Sequence, residues 1–183
     1  HSVPYALLAY QTAYLKANYP AEYIAACLTA VKRDKDRTAI FLSEARDIGV
    51  QVTTPDINLS SEDFTVSDNK IIFGLSAVRN VGDVTAQKII NERNENGDFL
   101  SIEDFLSRID SRSLNKRGVE ALAQGGGFDN FGFTRKGVFE ATVDLIEDAK
   151  DLKKEKLNNQ GSLFSLNESE TSSTTIATSE WEK

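Results

Sequence analysis

Four consecutive residues, Arg79-Asn80-Val81-Gly82, stand where this chain could do chemistry with its backbone rather than its side chains. They separate a short stretch with Leu75 and Val78 on one face from a longer one in which Ala86, Ile89 and Ile90 recur at i, i+3, i+4. A tight break before a helix presents unpaired N–H groups at the helix N-terminus, and those donors, with the macrodipole, favour a phosphate. Gly82 is expected to allow close backbone approach and a positive φ, and Val81 to anchor the turn. Asn80 stands where such turns mostly carry Gly, and Asn tolerates the left-handed region better than other residues with a side chain. Short helix, Gly-containing hairpin, longer helix is the pattern of a helix-hairpin-helix. Its candidate phosphate-contacting residues are Asn80, Val81, Gly82, Asp83 and Val84. An ordinary αα-turn inside a helical domain is the competing reading of the same stretch.

Side-chain chemistry of other kinds is poorly supplied. The 183 residues contain one Cys (Cys27) and one His (His1), too few for a disulfide framework, a zinc site or an iron–sulfur cluster. Length allows one large or two small domains. Nothing resembles a signal peptide or an 18-residue apolar span, so the expectation is a cytoplasmic chain with no membrane contact. It opens at His1 and contains no Met, as expected of an internal piece of something longer. The net charge of −7 is unevenly placed: residues 1–137 hold 16 Lys and Arg against 18 Asp and Glu, and residues 138–183 hold 5 against 10. A hairpin that grips phosphate with amides does not require a basic surface, so the acidity weakens a nucleic-acid reading without removing it.

The elements that must position the hairpin read as mainly α with a small β hairpin. Residues 1–31 form two helices broken at Asn18-Tyr19-Pro20. The stretch from Tyr5 to Leu15 is apolar on nearly every side, as in a helix buried inside a larger protein. Ile24, Cys27, Leu28 and Val31 line the second helix. The charged run 32–37 reads as a solvated connection, followed by a third helix that Gly49 should stop. Phe64-Thr65-Val66 and Ile71-Ile72-Phe73 flank Asp68-Asn69, a candidate hairpin turn. A last helix is expected over about residues 135–151, with Phe139, Val143 and Ile146 on one side. From Ser165 the chain is Ser/Thr/Glu-rich, the composition of a disordered acidic linker.

Two further motifs matter. After Asn96-Gly97 the pattern partly repeats: a Ser101-x-x-Asp104 helix start, then Ile102, Phe105, Leu106 and Ile109, the turn 113–117, and Val119, Leu122 and Ala123. This predicts a second, degenerate helix-hairpin-helix, with Lys116 and Arg117 where the first has Asn80-Val81-Gly82. Those two cations are either phosphate contacts or simply solvated. Within the polar tail, Gln160-Gly161-Ser162-Leu163-Phe164 places adjacent large apolar side chains where no local core can use them. Gln160, Leu163 and Phe164 are therefore candidates for insertion into a partner's pocket.

Taken in order, residues 1–23 (HSVPYALLAYQTAYLKANYPAEY), IGVQVTTPDIN, IIFGLSAVRNVG, LNKRGVEALAQGGGFD and QGSLF closely resemble the alpha subunit of bacterial DNA polymerase III, a C-family replicative polymerase. The resemblance runs over essentially the whole chain. It implies that residues 1–60 close the polymerase fingers, 61–152 form the tandem helix-hairpin-helix region that rides on duplex DNA, and 153–183 form a linker carrying the motif that docks on the β sliding clamp. It further implies a DNA-directed DNA polymerase as parent and the rest of the polymerase III holoenzyme as partner. The resemblance also implies that no cofactor or catalytic residue falls in this chain, the family's aspartates that hold two Mg²⁺ for nucleotidyl transfer being expected in a domain upstream of His1. His1, Tyr14 and Lys16 would lie nearest the incoming nucleotide and primer terminus, with helix packing or solvent as the plain alternative. The sequence departs from the family at Gly125-Gly126-Gly127, where Ala-Gly-Ala is usual, and at Gly161, where clamp motifs often carry Leu. Two other classes compete: a helix-hairpin-helix repair enzyme, which needs a catalytic Asp or Lys in a base-sized pocket, and a helical adaptor without DNA contact.

Overall fold

The computed structural model describes residues 1–159 and 174–181. Among them are eight α-helices: α1 (Ser2–Asn18), α2 (Pro20–Val31), α3 (Lys35–Asp47), α4 (Asp83–Asn96), α5 (Ile102–Arg108), α6 (Lys116–Gly125), α7 (Arg135–Glu140) and α8 (Thr142–Asn159). Strands β1 (Thr65–Ser67) and β2 (Lys70–Ile72) pair antiparallel, with Thr65 opposite Ile72 and Ser67 opposite Lys70. Asp68 and Asn69, the two residues between them, both take positive φ (50° and 58°), the backbone of a two-residue hairpin whose twist matches its strands. Among the described residues no helix is long and apolar enough to cross a membrane.

Two hydrophobic clusters divide the work. Ile24, Leu28 and Ala45 from α2 and α3 pack with Phe64 and Ile71 of the hairpin region. Val52 bridges to Ile71 as a parallel partner, so the short stretch after α3 acts as a third rib of this sheet. The larger cluster gathers Leu75, Val81 and Ile89, then Phe99, Ile102 and Phe105, then Val119, Leu122, Phe128 and Leu145. Phe73 packs against both, with its ring 4.7 Å from that of Phe64 in an edge contact. The residues before the hairpin also reach into the larger cluster. Ile57 is buried there, and the side-chain amide of Asn58 donates to the Phe99 carbonyl (3.0 Å) and accepts from the Phe99 N–H (2.9 Å), imitating a strand partner.

Ends are set largely by local chemistry. Asp34 and Ser101 accept from the amides of Arg37 and Asp104 at the starts of α3 and α5, and Gly49 follows α3 at φ 78°. Arg108 uses its whole fork: it binds the carboxylates of Glu92 and Asp104 and the carbonyls of Glu92, Asp98 and Gly97. Its guanidinium lies 4.4 Å over the Phe99 ring, which fixes the end of α4 against α5.

Three sequence expectations change. The stretch expected as one last helix is broken at Ala141 into α7 and α8. Its buried face is Val138, Ala141, Leu145 and Ala149, while Val143 is exposed and Phe139 and Ile146 are only partly covered. The α8 backbone stays helical to Asn159, past the point where the apolar period fades. Residues 174–181 then lie back on α7 and α8. Thr174 bonds Asp148 through its N–H and hydroxyl, Thr134 donates to the Ser179 carbonyl, and Trp181 meets Phe139 at 5.3 Å. The rest of the expected linker, with Gln160, Leu163 and Phe164, lies outside the described residues. Helix α1 buries nothing: Tyr5, Leu7, Leu8 and Tyr10 are all exposed, whereas its apolar character suggests a helix covered on most sides.

Gly74 marks the tightest crossing of the chain before the hairpin. A Cβ there would stand 2.6 Å from the backbone carbon of Asp63 and 2.7 Å from the Glu62 oxygen. Backbone cannot swing aside as a side chain can, so Gly74→Ala should lower stability by about 1–3 kcal/mol in urea denaturation, and a loss within about 0.5 kcal/mol would contradict that packing.

Candidate nucleic-acid interface

The first hairpin is built from the inside outward. Leu75–Ala77 forms a single 3-10 turn rather than the short α-helix expected, and it is strapped to the preceding segment by Leu75 N–H to the Ser61 carbonyl (2.9 Å) and Ser76 N–H to the Glu62 carbonyl (3.0 Å). Val78 leaves this turn extended, Asn80 reverses the chain at φ 62°, and Val81 drops into the core at 2% exposure. The Val81 N–H closes back on the Val78 carbonyl at 3.0 Å. Gly82 caps α4 at φ −83° and ψ 170°, ordinary extended backbone, so the positive φ expected of Gly82 belongs to Asn80 alone. What Gly82 contributes is space, since a Cβ built on it meets nothing within 4 Å.

Helix α4 has no side-chain cap. Its first internal bond runs from the Ala86 N–H to the Gly82 carbonyl (2.9 Å), and among the described residues the N–H groups of Gly82, Asp83 and Val84 meet no protein acceptor. Gly82 is exposed and Val84 is 72% exposed, so the turn that carries these donors lies at the surface. The arrangement can hold an anion at the positive end of a 14-residue helix.

Asp83 should spoil such a site, because its carboxylate belongs to the same turn as the amides. It is instead drawn onto α2. Lys32 Nζ contacts Asp83 Oδ1 at 2.9 Å, Asp63 Oδ1 at 2.5 Å and Ser76 Oγ at 2.9 Å, and Arg33 binds Asp83 Oδ2 at 2.5 Å. The hydrogen bonds from Lys32 and then Arg33 hold the Asp83 carboxyl below its usual range. Burial works against the charge on Lys32, but its bonds to Asp63 and Asp83 outweigh it and raise the ammonium's pKa. Sequence reasoning placed Lys32 and Arg33 in a solvated connection; they are the ion-pairing end of α2. No local pattern could show this, because the partners lie 31 and 50 positions downstream.

The second hairpin follows another rule. Asp110 Oδ1 accepts from the Arg112 N–H (3.0 Å), Leu114 is buried, and Asn115 caps α6 by accepting from the Gly118 N–H (3.0 Å). Leu114 and Asn115 therefore stand where Val81 and Gly82 stand in the first copy. Lys116 and Arg117 answer to Asp83 and Val84, not to Asn80-Val81-Gly82 as the sequence alignment of the two turns suggested. The Asn115 side chain occupies a donor that the first hairpin leaves open. Lys116 leans toward Glu120 (3.6 Å), while Arg117 is exposed and has no carboxylate partner among the described residues.

The two hairpins interlock. A Cβ on Gly118 would stand 2.5 Å from Leu114 Cδ1 and 3.2 Å from the Asn80 carbonyl oxygen. Thr85 Oγ1 donates to the Ser113 carbonyl (2.7 Å) and Lys88 Nζ to Ser113 Oγ (2.6 Å). His1, Tyr14 and Lys16 lie elsewhere, on α1. His1 makes no side-chain cap, Tyr14 is half exposed beside Tyr10 at 6.4 Å, and Lys16 pairs with Glu44 on α3.

Because the Asp83 carboxyl is held below its usual range when folded, its contribution is present above the unfolded value and is lost as pH falls through the folded one. Urea denaturation of the wild type and of Asp83→Asn should therefore show a stability gap at neutral pH. That gap should close in acid, below the ordinary carboxylate range, and one that stayed constant with pH would deny the ion pair its role.

The sequence matches the family described as "Helix-hairpin-helix motif" over residues 49–138. The chain is 41% identical over 170 residues to DNA polymerase III subunit alpha of Borreliella burgdorferi, covering 93% of the chain and 15% of that protein. It is 40% identical over 168 residues to the subunit of the same name from Mycobacterium tuberculosis (92% and 14%). Against that of Thermus aquaticus it is 46% identical over 132 residues (72% and 11%). Hairpin, interlock and sequence agree: the chain belongs to the family of DNA polymerase III alpha subunits and spans 11–15% of the length of these relatives.

Proposed function

We propose that this chain is the part of a replicative DNA-directed DNA polymerase that holds duplex DNA without regard to sequence. The carrying observation is the set of open amides at Gly82, Asp83 and Val84, freed of competition by the withdrawal of the Asp83 carboxylate. Backbone donors recognise the sugar-phosphate rail and carry no information about bases. Asn80 and Val81 shape the turn, while Lys116 and Arg117 add side-chain charge from the second hairpin. The names of the relatives support replication as the setting. Nucleotidyl transfer with its two Mg²⁺ is proposed to belong to other parts of the polymerase, with His1, Tyr14 and Lys16 on the side of the chain turned toward them. Gln160, Leu163 and Phe164 are proposed to tether the enzyme to the β sliding clamp within the cytoplasmic holoenzyme, a reading that rests on their sequence alone.

Gly82 offers a clean test. Its backbone suits any residue and its Cβ position is open, so Gly82→Val adds bulk over the amides without strain in the fold. Duplex affinity, measured by anisotropy at low salt, should fall about tenfold or more while circular dichroism shows the helices kept; wild-type affinity should drop steeply with added salt. Unchanged affinity in the variant would remove the hairpin from the interface. Separately, Leu163→Ala with Phe164→Ala should abolish pull-down of the β clamp and leave duplex binding intact, and a clamp still retained would refute the motif's role.

A further inference from the structure

A groove of about 1230 Å³ opens between the α3–hairpin region and the two interlocked turns. Its size exceeds the roughly 300–1,000 Å³ of ordinary small-molecule sites. Arg46, Lys70, Arg79 and Arg117 line it, all exposed, against a single carboxylate, Glu120, which already faces Lys116. None of these four cations forms an ion pair among the described residues, in a chain whose net charge is −7 and whose other cations are mostly paired. Unpaired positive charge gathered round one concavity is poised for an anion. The floor is of a different kind: Val50, Val52 and Val78 with the half-buried rings of Phe73 and Phe139.

We propose that this groove takes a single strand of DNA, its phosphates on the four cations and its bases against the apolar floor. The proposal rests on the DNA-binding reading above and adds a second class of ligand to it. A duplex turns its bases toward each other and has no use for an apolar floor, whereas an unpaired strand gains from rings it can lie against. Continuity supports the same occupant. Arg79 and Asn80 of the first hairpin and Arg117 of the second are at once hairpin residues and groove lining, so a strand leaving the hairpins enters the groove directly. An acidic peptide would satisfy the cations but not the floor, and it serves as the control.

Trp181, the sole tryptophan, packs on Phe139 and so reports on the floor from outside the groove. Labelled oligo-dT and a blunt hairpin duplex are titrated into the chain, alongside the double variant Arg46→Gln with Lys70→Gln. Both substituted residues are exposed and remote in sequence from the hairpin turns, and circular dichroism checks the fold. The expected result is a loss of roughly tenfold or more in single-strand affinity and a salt slope shallower by about 1.4 for two lost contacts, with duplex affinity within about twofold. Trp181 emission should change as oligo-dT saturates the wild type, and poly-glutamate of equal charge should compete poorly. Single-strand affinity unchanged in the double variant, equal losses on both ligands, unaltered Trp181 emission, or equal competition by poly-glutamate would each overturn the groove. Duplex binding without single-strand binding would sink this proposal alone; single-strand binding lost in the double variant, with duplex binding untouched by Gly82→Val, would sink the hairpin reading instead.

Discussion

One ammonium group holds the hairpin in its working position. Lys32 has three N–H donors and meets three acceptors, from Asp63, Ser76 and Asp83, on three different stretches of chain. At 15% side-chain exposure it is largely withdrawn from water, a state a lysine tolerates only when its charge is fully met. Among the described residues the hydrophobic clusters on either side of it share only Phe73, and this ion pair adds a direct tie between the start of α4 and the end of α2. Geometry and electrostatics are served together, because the bond that fixes the start of α4 also turns the one nearby carboxylate away from the amides.

The two hairpins solve one problem in two ways. In the first, small residues and a left-handed Asn80 leave the helix start without a side-chain cap. In the second, the Asn115 side chain caps α6 through the Gly118 N–H, and the exposed Arg117 stands beside that start. A bare start costs stability, though with Gly at the cap position the loss is only about a few tenths of a kcal/mol. That cost falls on the copy whose donors are left open, which is where a binding function would put it.

Features set by neighbouring residues were legible in the sequence. Asp68-Asn69, Gly49, Ser101 and the left-handed Asn80 all appear as read, because turn and cap chemistry is decided within four or five positions. Helical families, the small hairpin and the tight turn ahead of α4 follow from the same kind of signal. Gly82 was assigned the wrong torsion because Asn80 had already made the reversal, and one left-handed residue is enough. The second turn was misaligned because Asn115 reads equally as a loop residue or a cap until Leu114 is known to be buried. Nothing in the sequence could place Lys32, whose partners are distant, or distinguish the buried face of α8 from that of a continuous helix before the break at Ala141 was known. The groove was equally hidden: Arg46, Lys70, Arg79 and Arg117 are scattered in sequence and meet only in the folded chain.

The return of residues 174–181 to α7 and α8 has a mechanical corollary. Gly137 makes it possible, since a Cβ there would stand 1.9 Å from the Ala177 carbonyl oxygen. With Asn159 ending α8 and Thr174 held by Asp148, the span between them leaves from and comes back to one body. Fourteen residues tied at both ends can extend outward by no more than half their contour, about 25 Å at ~3.5 Å per residue. If Leu163 and Phe164 catch a partner as proposed, that partner is kept on a short tether beside α7 and α8, and its local concentration there is set by that radius rather than by the affinity of the motif.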